Sequence, residues 1–133
     1  MSVLIFTHPS SHRHVTPPGH PERVARIEAV DGVLSSGEYD RLPRREAPAA
    51  DDAALKRAHL PAYVDAIVRN APGPGEAVAL DPDTHMSEGS LQAARHAAGA
   101  NIAAVDAVMA GETLAAFCAV RPCGHHAERD RAM

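Results

Sequence analysis

Aromatic side chains are almost missing from this sequence: Phe6, Tyr39, Tyr63 and Phe117 are the whole set, and Trp does not occur. A core without large rings has to be filled by alanine and small aliphatic side chains, which demands close helix packing. The same scarcity removes the stacking platforms that hold single-stranded nucleic acid. A formal charge of -4 removes the basic stripe that would neutralise phosphates. Nucleic-acid binding therefore loses both of its physical supports. Cysteine is as sparse, with only Cys118 and Cys123, spaced neither as a disulfide framework nor as a two-cysteine metal knuckle. Reduced thiols are expected. No apolar run approaches the roughly 20 residues of a membrane span, and no charged N-terminal segment leads into a small-residue cleavage site. A soluble, cytoplasmic chain with no membrane or nucleic-acid partner is expected.

What is present fits one domain, since 133 residues at 45% apolar content suffice to bury a single core. Val3-Leu4-Ile5-Phe6 is too short for a helix and ends at His8-Pro9, so it reads as a buried strand feeding a loop. Residues 7–20 hold four histidines, three prolines and a glycine, a composition that cannot sustain a backbone ladder. Long ordered loops of this kind are more often functional than idle. His8, His12, His14 and His20 lack a matching carboxylate or cysteine pattern and read as solvated loop residues rather than metal ligands.

A helix of about four turns is expected from Pro21, carrying Val24, Ile27, Val30 and Leu34 and closed by Gly37. A second starts near Asp51-Asp52. A third starts at Pro61, with Val64, Ile67 and Val68 on one face, and ends at the Ala-Pro-Gly-Pro-Gly run of 71–75. From Ser87, an available N-cap, to Ala110 the positions Leu91, Ala94, Ala98, Ile102, Val105 and Met109 recur at helical spacing, with Gly111 as the stop. Leu114 through Val120 is continuously apolar, the pattern of a strand buried on both faces. Strands alternating with helices predict an α/β fold, parallel sheet strands with flanking helices.

In such sheets catalytic groups gather beyond the carboxyl ends of strands, where residues 121–127 fall. Gly124 permits backbone conformations that other residues resist and Pro122 stiffens the approach, so His125 and His126 can be held in fixed, diverging directions. Imidazole takes and returns protons near neutral pH, which suits a general base. A His-His pair taken alone also reads as an ordinary polar loop. Cys123 and His125 would supply too few donors for a structural metal site, which needs four.

The run Arg121-Pro122-Cys123-Gly124-His125-His126-Ala127-Glu128 resembles the Arg-Pro-Pro-Gly-His-His-Ala motif of the histone deacetylase and acetylpolyamine amidohydrolase family. Three further segments match in order. Gly19-His20-Pro21-Glu22-Arg23 resembles the segment that opens the first helix of class II-like and bacterial members. His59 to Val68 keeps a His-x-x-x-Tyr-Val spacing, and Leu80-Asp81-Pro82-Asp83-Thr84 precedes the alanine-rich helix. The resemblance implies the N-terminal portion of a deacetylase-like domain over residues 1–133, with part of an arginase/deacetylase-like three-layer fold. It implies zinc- or iron-dependent hydrolysis of an N-acetyl amide, of acetyl-lysine, acetylpolyamine or a similar small molecule.

On that resemblance His126 matches the general base and His125 its partner. Asp83 matches the rim aspartate that holds the substrate backbone, Gly124 contributes to substrate binding, and Arg23 lies near the acetate-exit region. Asp-Pro-Asp-Thr is also a good turn sequence, and Arg23 also reads as a surface charge on a first helical turn. The family's metal ligands, two aspartates and a histidine, have no counterpart in this chain, which is therefore expected to be a truncated domain inactive alone. Cys123 replaces the second proline of the motif and loosens the loop. A non-catalytic binding or assembly module derived from the same fold is the alternative, self-associating through an exposed sheet edge.

Overall fold

A computed structural model describes residues 3–133. Its first strand, β1 (Val3–Thr7), is the centre of a three-stranded parallel sheet, between β2 (Arg44–Glu46) and β5 (Ala115–Ala119). Ile5 is in register with Arg44 on one side and Phe117 on the other. The helices are α1 (Val24–Leu34), α2 (Asp52–Ala58), α3 (Pro61–Arg69) and α4 (Ser90–Met109). A small antiparallel hairpin, β3 (Ala77–Ala79) and β4 (His85–Ser87), precedes α4.

The alternation of side chains along β1 explains its uniformly apolar sequence. Leu4 and Phe6 point to one face and pack with Ala47 and with Ala100, Ala104 and Ala107 of α4. Ile5 points to the other, where it joins Ala119 and Ile27 and Leu34 of α1. The result is a helix–sheet–helix sandwich, the expected α/β class. Each of these large side chains contributes about 1.5–3 kcal/mol on burial, so β1 is the energetic spine. The cost of a core poor in rings shows at Gly99: a Cβ there would lie 1.9 Å from the Pro48 carbonyl oxygen and 2.8 Å from the Ala50 nitrogen. The helix backbone rides directly on the 47–50 segment. That contact is fastened by Ala50 N–H to Arg95 O, Arg95 Nη1 to Ala50 O and His96 Nδ1 to Ala47 O, at 2.9, 3.1 and 2.8 Å.

Several expectations are corrected. The first helix starts at Val24 rather than Pro21, because Arg23 is still extended at the N-cap; it has 11 residues and leaves Val30 exposed. Ser87 does not cap α4. It ends β4, and its N–H donates to Ser90 Oγ at 2.7 Å. The buried face of α4 is Ala93, Ala97, Ala100, Ala104 and Ala107, while Ile102, Val105 and Met109 of the expected stripe are exposed. Small side chains face inward because the backbone approach at Gly99 leaves no room for larger ones. The last strand is not buried on both faces: β5 is an edge strand, with Leu114 70% and Phe117 48% exposed. The 7–20 segment is not simply open, since it holds a 3-10 turn at Pro9–His12. Strands β2 to β4 were not expected, being only three residues each, too short to register as a pattern. Among the described residues no helix is long and apolar enough to cross a membrane.

Candidate active site

The carboxyl end of β5 delivers Arg121, and this side chain organises everything around it. Arg121 is 4% exposed. Its Nε and Nη2 donate to the two carboxylate oxygens of Glu22 at 2.9 and 2.6 Å, and its Nη1 donates to the backbone oxygens of Ser11 and His14 at 2.8 and 2.6 Å. The Arg121 N–H also donates to Ser11 Oγ at 3.2 Å. A planar guanidinium fits this pattern because its fork of donors can meet a carboxylate with two parallel bonds while a third edge binds carbonyls. The base of the histidine loop is thereby pinned to the 8–22 segment. The following Arg121–Pro122 peptide bond is cis.

His14 completes the buried network. Its Nδ1 is 2.6 Å from Ser90 Oγ and its Nε2 3.5 Å from Glu22 Oε2. Burial pushes the His14 imidazole below its ordinary value, the Arg121 charge adds to this, and Glu22 offsets part of it. For Glu22, burial pushes upward, but the Arg121 hydrogen bonds and charge, with His14 and Arg26, hold the carboxyl below its ordinary range. Both shifts favour a neutral His14 beside an ionised Glu22. Ser90 O–H donates to His14 Nδ1, and His14 Nε2–H faces the carboxylate. His12 is exposed as expected, but His14 and His8 are not solvated loop residues: His14 is buried, and the His8 ring stacks on His96 with centroids 3.3 Å apart.

Beyond Arg121 the chain turns outward. His125 and His126 are both exposed, their ring centroids 4.2 Å apart and tilted by 50°. They face different spaces. His126 lines a cavity of about 330 Å³ together with Asp83, Tyr63, Leu91 and Gly124. His125 lines a neighbouring apolar cavity of about 620 Å³ beside Val64, Ile67 and Cys118. The expected divergence of the two rings is present, but it does not come from a special backbone at Gly124. That residue lies outside the positive-φ glycines, and a Cβ on it would meet nothing within 4 Å. The loop is instead held from both ends, by Arg121 at its start and by Leu60 N–H to Arg129 O (2.9 Å) and His59 Nδ1 to Glu128 O (2.9 Å) at its far side. The His59–Tyr63 spacing thus has a physical meaning: His59 docks the segment after the tandem histidines and Tyr63 lines both cavities.

Asp83 sits on a turn built by Asp81, whose Oδ1 accepts from the Asp83 and Thr84 N–H groups at 2.7 and 2.6 Å. The turn reading of Asp-Pro-Asp-Thr holds, and this turn carries Asp83 to the lining of the His126 cavity. Arg23 stands outside the buried Arg121 network. It is an exposed N-cap without a side-chain capping bond, and the internal arginine near the site is Arg121. Glu22 and Arg121 were both inside recognised segments, yet neither drew a role. The available signal was a charged residue placed directly after a continuous apolar strand. Among the described residues, no three His, Cys, Asp or Glu side chains converge into a cation site.

The model of the histone deacetylase domain matches residues 20–133. The chain belongs to the histone deacetylase family. It is 39% identical over 125 residues to a histone deacetylase-like amidohydrolase of Pseudomonas aeruginosa, covering 90% of this chain and 32% of that one. It is 34% identical over 114 residues to the polyamine deacetylase HDAC10 of Homo sapiens, covering 82% and 17%. The crystal structure of the HDA15 HD domain superposes with a TM-score of 0.90 at 27% identity, over 99% of this chain and 38% of that one. This histone deacetylase family chain thus spans between 17% and 38% of the length of these relatives.

Proposed function

We propose that this chain supplies the histidine wall of a deacetylase site, one that hydrolyses the N-acetyl amide of acetyl-lysine, acetylpolyamine or a similar amine. The observation that carries the reading is the tandem-histidine loop pinned by buried Arg121, with His126 lining one cavity with Asp83. In this reading His126 is the general base. It takes a proton from the water that attacks the acetyl carbonyl and returns it to the departing amine, a step worth roughly 10²–10⁴-fold. His125 supports it from the adjoining cavity. Asp83 accepts hydrogen bonds from the substrate backbone, and Gly124 leaves the wall open. The names of the relatives, a deacetylase-like amidohydrolase and a polyamine deacetylase, support an acetylated amine as substrate.

Metal dependence of zinc or iron type belongs to the same reading, with the ligands supplied outside these residues, since the donors present do not form a site. The test is metal content and turnover of an acetyl-lysine fluorogenic substrate, comparing this chain with a version extended through the downstream coding sequence. Metal binding and turnover in the extended chain only, lost in His126→Ala, is the expected result. Turnover that survives His126→Ala removes His126 from the mechanism.

A second reading, a binding or assembly module, is favoured by one observation. Edge strand β5 carries exposed Phe117 and is preceded by exposed Leu114, and Val105 and Met109 lie exposed on the neighbouring helix. A chain that folds but takes up no metal and turns over nothing in either length supports this reading.

A further inference from the structure

Asp83 presents a difficulty for any role in holding a substrate: its side chain is 90% exposed, and a solvated carboxylate on a single-bond stem samples several rotamers. Among the described residues its side-chain partner is His20. The His20 Nε2 lies 3.2 Å from Asp83 Oδ1 and 3.1 Å from the Asp83 backbone oxygen. Both are acceptors, so Nε2 carries the proton. Nδ1 sits over the Glu22 backbone, 3.1 Å from its N–H, from which it accepts, and 3.0 Å from its carbonyl oxygen. The ring itself is well held: its side chain is only 13% exposed, and it meets His85 edge-on with centroids 5.7 Å apart.

We infer that His20 is a positioning residue for substrate binding, clamping the exposed Asp83 carboxylate at the mouth of the His126 cavity. The inference rests on the reading of Asp83 as a substrate-holding group. The clamp is anchored to the site's interior, because the backbone it leans on is that of Glu22, whose carboxylate is locked by Arg121. One continuous path of hydrogen bonds therefore links the root of the histidine loop to the rim aspartate on the far side of the cavity. His20 hydrogen-bonds the Asp83 backbone oxygen and stands within ion-pair reach of Oδ1, while the 90% exposure of the side chain leaves it open to a ligand N–H.

The experiment is NMR on the 133-residue chain with His20→Ala, His20→Gln and Asp83→Ala, reading the χ1 couplings of Asp83 and the affinity for an N-acetyl-lysine peptide amide. Glutamine keeps an N–H donor near the Nε2 position. The expected result is one Asp83 rotamer in the parent and His20→Gln, averaging in His20→Ala, and about three- to tenfold weaker peptide binding in His20→Ala. A staple that merely joins two loops leaves the peptide affinity of a folded His20→Ala chain unchanged, and that result overturns the inference. So does an Asp83 that keeps its single rotamer without His20. Peptide affinity undetectable in the parent, or unchanged in Asp83→Ala, instead overturns the reading of Asp83 while the rotamer data still report on the clamp.

Discussion

Removing the anion from beneath Arg121 is the sharpest test of how the histidine loop is held. In Glu22→Ala the guanidinium, 4% exposed as a residue, keeps its bonds to the Ser11 and His14 carbonyls but loses both carboxylate bonds. Breaking a buried ion pair from one side costs about 3–5 kcal/mol, because the remaining charge is stranded in a poorly polarisable surrounding. Glu22 keeps some contact with water, with a side chain 17% exposed, so the lower end of that range is expected. A built-in control exists in Arg45–Glu112, also paired at 2.9 Å but with both side chains 50% exposed, where Glu112→Ala should cost at most about 1 kcal/mol. Urea unfolding separates the two: with a slope of about 1–3 kcal/mol per molar, Glu22→Ala should lower the midpoint by about 1 M or more. Glu112→Ala should move it by a fraction of that. Equal shifts in the two variants refute the reasoning, since the claim is that burial, not pairing distance, sets the energy.

The same network gives a pH dependence. His14 is held below its ordinary 6.5 by burial and by Arg121, so its contribution is present above that value and is lost as pH falls below it toward the lowered value in the folded chain. Glu22 is also held below its ordinary 4.5, and its contribution is lost as pH falls further, through its lowered value. Stability measured against pH should decline in two stages on acidification. His14→Gln should diminish the first stage while leaving the part due to His8, which burial and His96 also lower. At Gly99, alanine should cost about 1–3 kcal/mol, read as a lower Tm, because the Pro48 carbonyl must move out of the way. Gly124→Ala, with open space around it, should leave unfolding stability within about 0.5 kcal/mol of the parent. Light scattering should show self-association that weakens in Met109→Lys and Leu114→Ser, two positions among the most exposed apolar side chains.

Much of the fold was legible because burial at β1 is strict and punctuation is strong. A five-residue strand with both faces covered admits only apolar residues, and Asp51, Pro61 and Gly111 mark element ends by chemistry that acts locally: a side-chain cap on Ala54 N–H, a missing N–H, and a positive φ of 74°. The orientation of α4 was not legible. Two helical stripes run along it at the same spacing, one of alanines and one of larger residues, and hydrophobicity alone prefers the larger. Which stripe faces inward was decided by Gly99, whose lack of a side chain lets two backbones touch. That contact is with a segment roughly fifty residues earlier in the chain.

The site shows the same division between local and distant causes. The tandem histidines could be picked out from seven contiguous residues, since a motif is by nature local. What fixes them could not. Arg121 meets Glu22 across 99 positions and Ser11 across 110, and His20 meets Asp83 across 63. No periodicity encodes such pairings. An arginine at the end of an apolar strand does carry a usable warning, because its guanidinium follows the strand into the interior and a buried cation requires an anion. Five acidic residues in the matched segments offered themselves, Glu22, Asp65, Asp81, Asp83 and Glu128. Only Glu22 lies beside the carbonyls of Ser11 and His14, so the guanidinium's third edge decided among them, leaving Asp83 in water as the group with bonds still to make.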